Sequence, residues 1–181
     1  GWNPLGERTS VTSPGGVHSL TIDRPDANTE VWNHGGSETT FTYDGLGRTI
    51  DIERPDGTSR SIAYDGLDRP VSVTDFDGQL QTYGYTPEGW LAREERGASV
   101  RTYEYNMLGQ PTRVATDGID STMTYDVLGR LTSRTFENGR TVGYRYYPTG
   151  ARERVIDSLG GVVRYAYDQY GRIDTLTDGG G

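Results

Sequence analysis

Large apolar residues recur along this chain two apart: Phe41/Tyr43, Ile62/Tyr64, Tyr83/Tyr85, Tyr103/Tyr105, Met123/Tyr125, Tyr144/Tyr146 and Tyr165/Tyr167, each pair separated by Thr, Ala, Gly, Glu or Arg. Residues two apart share one face of a strand, so each pair predicts a strand with an apolar side and a polar side. A second apolar column, Ile52, Val73, Val114, Val155 and Leu176, follows the first and is broken at Glu94 and Arg134. No stretch carries the 3.6-residue period of a helix, and Gly and Pro would interrupt any candidate. The pattern predicts an all-β chain.

Two turns separate these strands in every unit. The first begins on Asp at Asp44, Asp65, Asp126 and Asp168, whose carboxylate can accept backbone N–H groups, and it closes on a Gly able to take a positive φ at Gly47, Gly129 and Gly171. The second is marked by Gly57, Gly78, Gly97, Gly118, Gly139 and Gly160, often as Asp-Gly or Asn-Gly, a strong hairpin signal. The motif tyrosines Tyr43, Tyr64, Tyr85, Tyr105, Tyr125, Tyr146 and Tyr167 stand 21, 21, 20, 20, 21 and 21 residues apart. Carried backward, the same step lands on Ile22 and Trp2, which belong to degenerate copies. The expectation is one array over residues 1–181, degenerate in 1–40 and clearer in 41–181, of tandem antiparallel hairpins of about 21 residues forming an extended, curved sheet.

Composition sharpens this picture. Hydrophobic residues make up only 32% of the 181 residues, yet there are 13 Tyr, 3 Trp and 3 Phe. The rings are therefore the main apolar stock, and core packing of the aromatic face outweighs a ligand-stacking role. The net charge is −8 and no basic run occurs, which argues against nucleic acid as a partner. Zero Cys excludes disulfides, thiolate catalysis and Cys-based zinc sites. The sequence shows neither a signal-peptide core nor an apolar run long enough to span a membrane.

Candidate chemistry is thin. The repeated Asp residues stand one per unit with an Arg four residues on, so turn capping is expected and calcium is not. Glu94–Glu95 and Asp117/Asp120 have the look of solvated loop charge, and His18 and His34 that of surface histidines without further ligands. No Gly-x-Ser-x-Gly elbow accompanies the serines. No catalytic, cofactor or metal site is expected. Arg48, Arg69, Arg130 and Arg172 are expected to bond turn carbonyls or the neighbouring Asp, tying one repeat to the next.

Tyr-x-Tyr-Asp-x-x-Gly-Arg, an apolar residue and then an Asp-Gly turn resembles the YD repeat of rearrangement hotspot (RHS) proteins, bacterial toxin-complex C components, wall-associated YD-repeat proteins and teneurins. The resemblance is strongest at residues 42–48, 63–69, 124–130 and 166–172. Thr86, Asn106 and Tyr147 replace the Asp, and Trp90, Gln110 and Ala151 replace the Arg. The motif residues it singles out are Tyr43, Asp44, Gly47, Arg48, Tyr64, Asp65, Arg69, Tyr85, Tyr105, Gly109, Tyr125, Asp126, Gly129, Arg130, Tyr146, Gly150, Tyr167, Asp168, Gly171 and Arg172. In such proteins the repeats form a sheet that spirals into a hollow shell, often around a toxin. Many end in a self-cleaving Asp-Pro-x-Gly motif, which this sequence lacks, so neither autoproteolysis nor a cargo carries over.

Nine units of two strands span roughly 85 Å of sheet, against roughly 140 Å for one turn around a ~100-residue cargo. A segment of a shell, or an open sheet with unpaired edges, is therefore expected. The resemblance implies a structural, non-enzymatic segment of a secreted or cell-surface bacterial protein, serving as shell wall or self-assembling fibre. Its partners would be other repeats paired at strand edges and, in a longer parent, an enclosed toxin domain. The competing expectation is an adhesion module for cell-surface carbohydrate or protein.

Overall fold

The computed structural model describes residues 1–2, 9–12 and 19–179. Among them are seventeen β-strands and no helix. Two compact units are present, Gly1–Gly84 with Glu95–Ala98, and Tyr85–Glu94 with Ser99–Gly181. The first holds β1 (Ser10–Thr12), β2 (Ser19–Asp26), β3 (Thr29–His34), β4 (Ser37–Tyr43), β5 (Thr49–Glu53), β6 (Ser59–Tyr64), β7 (Pro70–Thr74) and most of β8 (Leu80–Tyr85). The second holds most of β9 (Leu91–Arg96), then β10 (Ser99–Tyr105), β11 (Pro111–Thr116), β12 (Ile119–Tyr125) and β13 (Leu131–Thr135). It continues through β14 (Thr141–Tyr146), β15 (Arg152–Asp157), β16 (Val162–Tyr167) and β17 (Ile173–Asp178). Within each unit the strands form an antiparallel meander, each pairing with the next in sequence.

The two apolar columns meet across the strands. Phe41 faces Ile52, Ile62 faces Val73, Tyr103 faces Val114, Tyr144 faces Val155 and Tyr165 faces Leu176. Directly opposed residues share a face, so each repeat builds one apolar patch from an incoming and an outgoing strand. At Met123 the opposed residue is Arg134, whose guanidinium lies 4.7 Å from the centre of the Phe136 ring. The side chain keeps its stem on the apolar face and ends on an aromatic surface.

One residue later the register slips. After Thr42↔Asp51 comes Tyr43↔Thr49, and the same shift recurs before Tyr64, Tyr105, Tyr125, Tyr146 and Tyr167. Ile50, Val71, Thr112, Thr132, Glu153 and Asp174 are the extra residues of these β-bulges, which add local twist beside these six tyrosines.

From Asp44 onward the first turn has constant length. Asp44 N–H donates to Arg48 O at 2.9 Å and Gly47 N–H to Asp44 O at 2.9 Å, a type I turn closed by a positive-φ residue. The second turn has two lengths. Three-residue loops 55–57, 76–78, 137–139 and 158–160 lie in the 21-residue intervals, each ending on a Gly with φ between 75° and 96°. Two-residue loops Gly97-Ala98 and Asp117-Gly118 lie in the two 20-residue intervals. A two-residue loop needs φ > 0 at its first position, which Asp117 supplies at 53° and Gly97 at 58°, and which Pro55 cannot. From Tyr43 onward the one-residue variation in period is thus absorbed at the second turn, and the strand register does not move.

Only Ala115, 7% exposed, is buried among the described residues. The aromatic pairs are half-buried. The expected core packing takes a lateral form instead: each ring is covered by side chains of the adjoining strands, because each unit has a single layer.

Candidate functional site

The sequence motif condenses into one repeated arrangement at the first turn. Asp44 Oδ1 accepts the backbone N–H groups of Leu46 (2.9 Å) and Arg48 (3.0 Å), while Oδ2 receives Arg48 Nε at 2.7 Å. Asp65 with Arg69, Asp126 with Arg130 and Asp168 with Arg172 repeat the pattern, their Nε to Oδ2 distances being 2.8, 2.7 and 2.8 Å. Each carboxylate therefore closes the loop on one side and fixes a guanidinium on the other. The Arg stays forked on the Asp, with a second N–H···O contact from Nη2 at 2.6–2.8 Å.

The fixed guanidinium then reaches the following repeat. Arg48 lies 4.7 Å from the centre of the Tyr64 ring, and its Nη1 donates to Asp65 O at 3.3 Å and to Asp68 Oδ1 at 2.6 Å. Arg130 lies 4.7 Å from the Tyr146 ring centre and donates to Tyr147 O at 3.3 Å. The tyrosine answers in the other direction. Its hydroxyl donates to the carbonyl just after the previous repeat's Arg position: Tyr64 to Thr49 (2.9 Å), Tyr105 to Leu91 (2.7 Å), Tyr125 to Pro111 (2.8 Å) and Tyr146 to Leu131 (2.8 Å).

The departures from the motif are chemical substitutes within this clamp. Asn106 Oδ1 accepts the N–H groups of Leu108 and Gln110, and its Nδ2 donates to Gln110 Oε1 at 3.0 Å, a neutral copy of the Asp–Arg pair. Gln110 Nε2 then donates to Gly129 O in the next turn at 2.6 Å. Trp90, in the Arg position, tilts against Tyr105 with ring centres 5.3 Å apart, so an indole covers the tyrosine in place of a guanidinium. Tyr147, in the Asp position, keeps the backbone turn and packs edge-on against Tyr167 at 6.3 Å.

Electrostatics follow from these bonds. The guanidiniums of Arg48 and Arg69, then their backbone N–H groups, hold Asp44 and Asp65 below the usual carboxylate range. For Asp126 and Asp168 the backbone N–H of Arg130 and of Arg172 is the leading cause and the guanidinium follows. A lowered folded-state value means that the unfolded chain binds more protons, so this stability is present above the unfolded carboxylate value of about 3.9 and is lost as pH falls through the folded values. The thermal midpoint is expected to be flat from neutral pH to about 5 and to drop below about 4. A midpoint that rises on acidification would contradict this. Asp126→Ala is expected to lower the midpoint, and Asp126→Asn to lower it less, since Asn106 already supplies the same acceptor.

The remaining candidates occupy ordinary places. His34 is exposed at the end of β3, opposite Ser37, and His18 lies outside the described residues. Glu94 differs from the expected solvated loop charge: it stands on β9, accepts the Tyr103 hydroxyl at 2.9 Å and pairs with Arg101 at 3.2 Å. Asp117 binds the Val100 N–H at 2.7 Å, and Asp120 pairs with Arg113 at 2.7 Å. Among the described residues no group of three His, Cys, Asp or Glu side chains is placed to hold a metal. Outside the clamp, four of the first turns have apolar, uncovered tips, with Leu46 and Leu67 in the first unit and Met107 (98% exposed), Leu108, Val127 (99%) and Leu128 in the second.

The family model described as Teneurin YD-shell matches residues 26–155, well over half of the sequence. The chain belongs to the teneurin YD-shell family. Among solved structures, this YD-shell chain is similar to "Crystal Structure of TcdB2-TccC3-TEV", with a TM-score of 0.72 at 12% identity. The alignment takes in 98% of this chain and 11% of that one. It is also similar to "Crystal Structure of TcdB2-TccC3 without hypervariable C-terminal region", with a TM-score of 0.60 at 13% identity over 97% of this chain and 14% of that one. At such identities the likeness is one of fold, and the YD-shell chain spans a small part of either structure. No curated protein matches it at the level of sequence.

Proposed function

We propose that this chain is a stretch of wall from a secreted or cell-surface YD-shell, whose task is mechanical. The observation that carries this reading is the reciprocal clamp, in which Arg48 or Arg130 holds the next tyrosine and that tyrosine's hydroxyl holds the preceding carbonyl. Such a device does no chemistry on a substrate; it fixes the angle between successive hairpins and lets the sheet be extended repeat by repeat. The small share of the similar structures that it covers agrees with a role as part of a larger wall. Further repeats would continue the sheet by strand pairing, and in a longer parent the wall would enclose a toxin domain. The uncovered Leu, Met and Val tips support a setting in which these turns meet other protein.

Negative-stain electron microscopy of the 181-residue chain at micromolar concentration tests the reading. Small discrete particles are the expected result. Long regular fibres would replace it with a self-assembling extracellular scaffold, in which open sheet edges pair chain to chain. An adhesion module is the second reading, favoured by the exposed rings of Tyr147 and Tyr170. Saturable quenching of tyrosine fluorescence by members of a glycan panel would establish it.

A further inference from the structure

In the second compact unit the register places three arginines side by side. Arg145 on β14 is directly opposite Arg154 on β15, and Arg154 is directly opposite Arg164 on β16. They stand on the face opposite Tyr144 and Val155, on neighbouring strands, so the row spans roughly 10 Å with about 5 Å between successive Cβ atoms. Like charges directly opposed destabilise a sheet, and here two such pairs share a member. Unlike the clamp arginines, Arg145 and Arg164 have no ion pair among the described residues, and Arg154 has only a long one. The carboxylate nearest in sequence, Glu153, leaves its Oε1 3.9 Å from Arg154 Nε, beyond hydrogen-bonding distance. Arg154 Nε is buried and has no hydrogen-bond partner, the one such side-chain atom among the described residues. Along the same face runs an uncharged row, Gly143, Ile156 and Val162, in register with the arginines. In a protein of net charge −8, a concentration of positive charge is set against an apolar ledge.

We propose that the row Arg145–Arg154–Arg164 binds a tetrahedral oxyanion, a phosphate or sulfate group. A guanidinium offers its N–H groups as a fork, and adjacent forks about 5 Å apart can each take oxygens of one tetrahedral group. The charge of such a group, up to two negative units, offsets the repulsion within the row, whereas a single carboxylate would leave most of it standing. The source can be the free ion or an anionic polymer such as a sulfated polysaccharide, and the two are separable. The inference concerns one face of the second unit and does not depend on the wall reading.

The test is thermal unfolding of the full chain in chloride, phosphate and sulfate at matched ionic strength, and in chloride with heparin. Wild type is expected to melt higher in phosphate and sulfate than in chloride. Arg154→Leu is expected to melt above wild type in chloride, because it removes both opposed-charge pairs and the unpartnered donor, and to gain nothing from phosphate. The double variant Arg145→Gln/Arg164→Gln, which retains Arg154, should also lose the gain, with phosphate affinity by titration calorimetry reduced at least about tenfold. A gain from free phosphate assigns the site to the small ion; a gain from heparin alone, lost in both variants, assigns it to the polymer. Equal melting of wild type in all media, a gain that survives in the variants, or an Arg154→Leu chain less stable than wild type in chloride would each overturn the proposal.

Discussion

Gly109→Val is expected to unfold at distinctly lower temperature or urea concentration than wild type, with a loss of about 3 kcal/mol. Two causes add at this position. Gly109 has φ +76°, a conformation badly strained for a β-branched residue. A Cβ there would also sit 3.0 Å from Trp90 Cε2 and Cζ2, pressing on the indole that covers Tyr105. Gly47 separates the two causes, since it has φ +78° and nothing within 4 Å of a built Cβ. Gly47→Val should therefore cost only the backbone component, about 1–2 kcal/mol. Gly129→Val should fall between them: its Cβ would meet Gln110 Nε2 at 3.1 Å, and a flexible amide can move aside at the expense of its bond to Gly129 O. Urea titration of the three variants gives the order directly. Equal losses at Gly109 and Gly47 would show that the Trp90 contact contributes nothing.

The second large effect is expected at Tyr105. Tyr105→Ala removes a ring tilted against Trp90 at 5.3 Å and a hydroxyl that donates to Leu91 O at 2.7 Å. Fully buried aromatic truncations cost about 3–5 kcal/mol; a half-buried ring in a single-layer sheet should cost about 2–3. Tyr105→Phe keeps the ring and leaves the Leu91 carbonyl to find water, so about 1 kcal/mol is expected. The ratio of the two losses decides which half of the clamp dominates. A Phe variant as damaged as the Ala variant would assign the stability to the hydroxyl and sink the stacking account.

How much of this could be seen in the letters alone depends on what kind of signal each feature leaves. The opposition of Phe41 to Ile52 and of Tyr144 to Val155 was legible, because a period of two inside strands and a fixed spacing across a turn both survive in one dimension. A bulge was expected at the turn glycines Gly47, Gly129 and Gly171, but the one beyond them was not, because Ile50, Val71, Thr112, Thr132, Glu153 and Asp174 share no residue type; the position is defined by backbone hydrogen bonding. Trp90 stood out in the sequence as a break in the motif. In the structure it does the Arg position's packing by another chemistry, since what Tyr105 requires is a flat group above it. Glu94 looked like loop charge because nothing in a sequence says that a tyrosine hydroxyl nine residues later will face it. The arginine row was hidden for a related reason. Arg145, Arg154 and Arg164 become neighbours only when two strand reversals fold them together, and unequal spacings of 9 and 10 residues leave no periodic trace.

The unequal lengths of the second turn have a consequence for how such arrays change over generations. A codon gained or lost at this bend exchanges a two-residue loop for a three-residue one, and Asp117-Gly118 and Pro55-Asp56-Gly57 already illustrate both within one molecule. The aromatic column keeps its alignment through either event. The Tyr-Asp bend has no such slack, for the Asp44 to Arg48 fork depends on a separation of four residues. Insertions and deletions should therefore accumulate along one margin of the sheet and be purged from the other, giving every lineage of these proteins a variable rim and an invariant one.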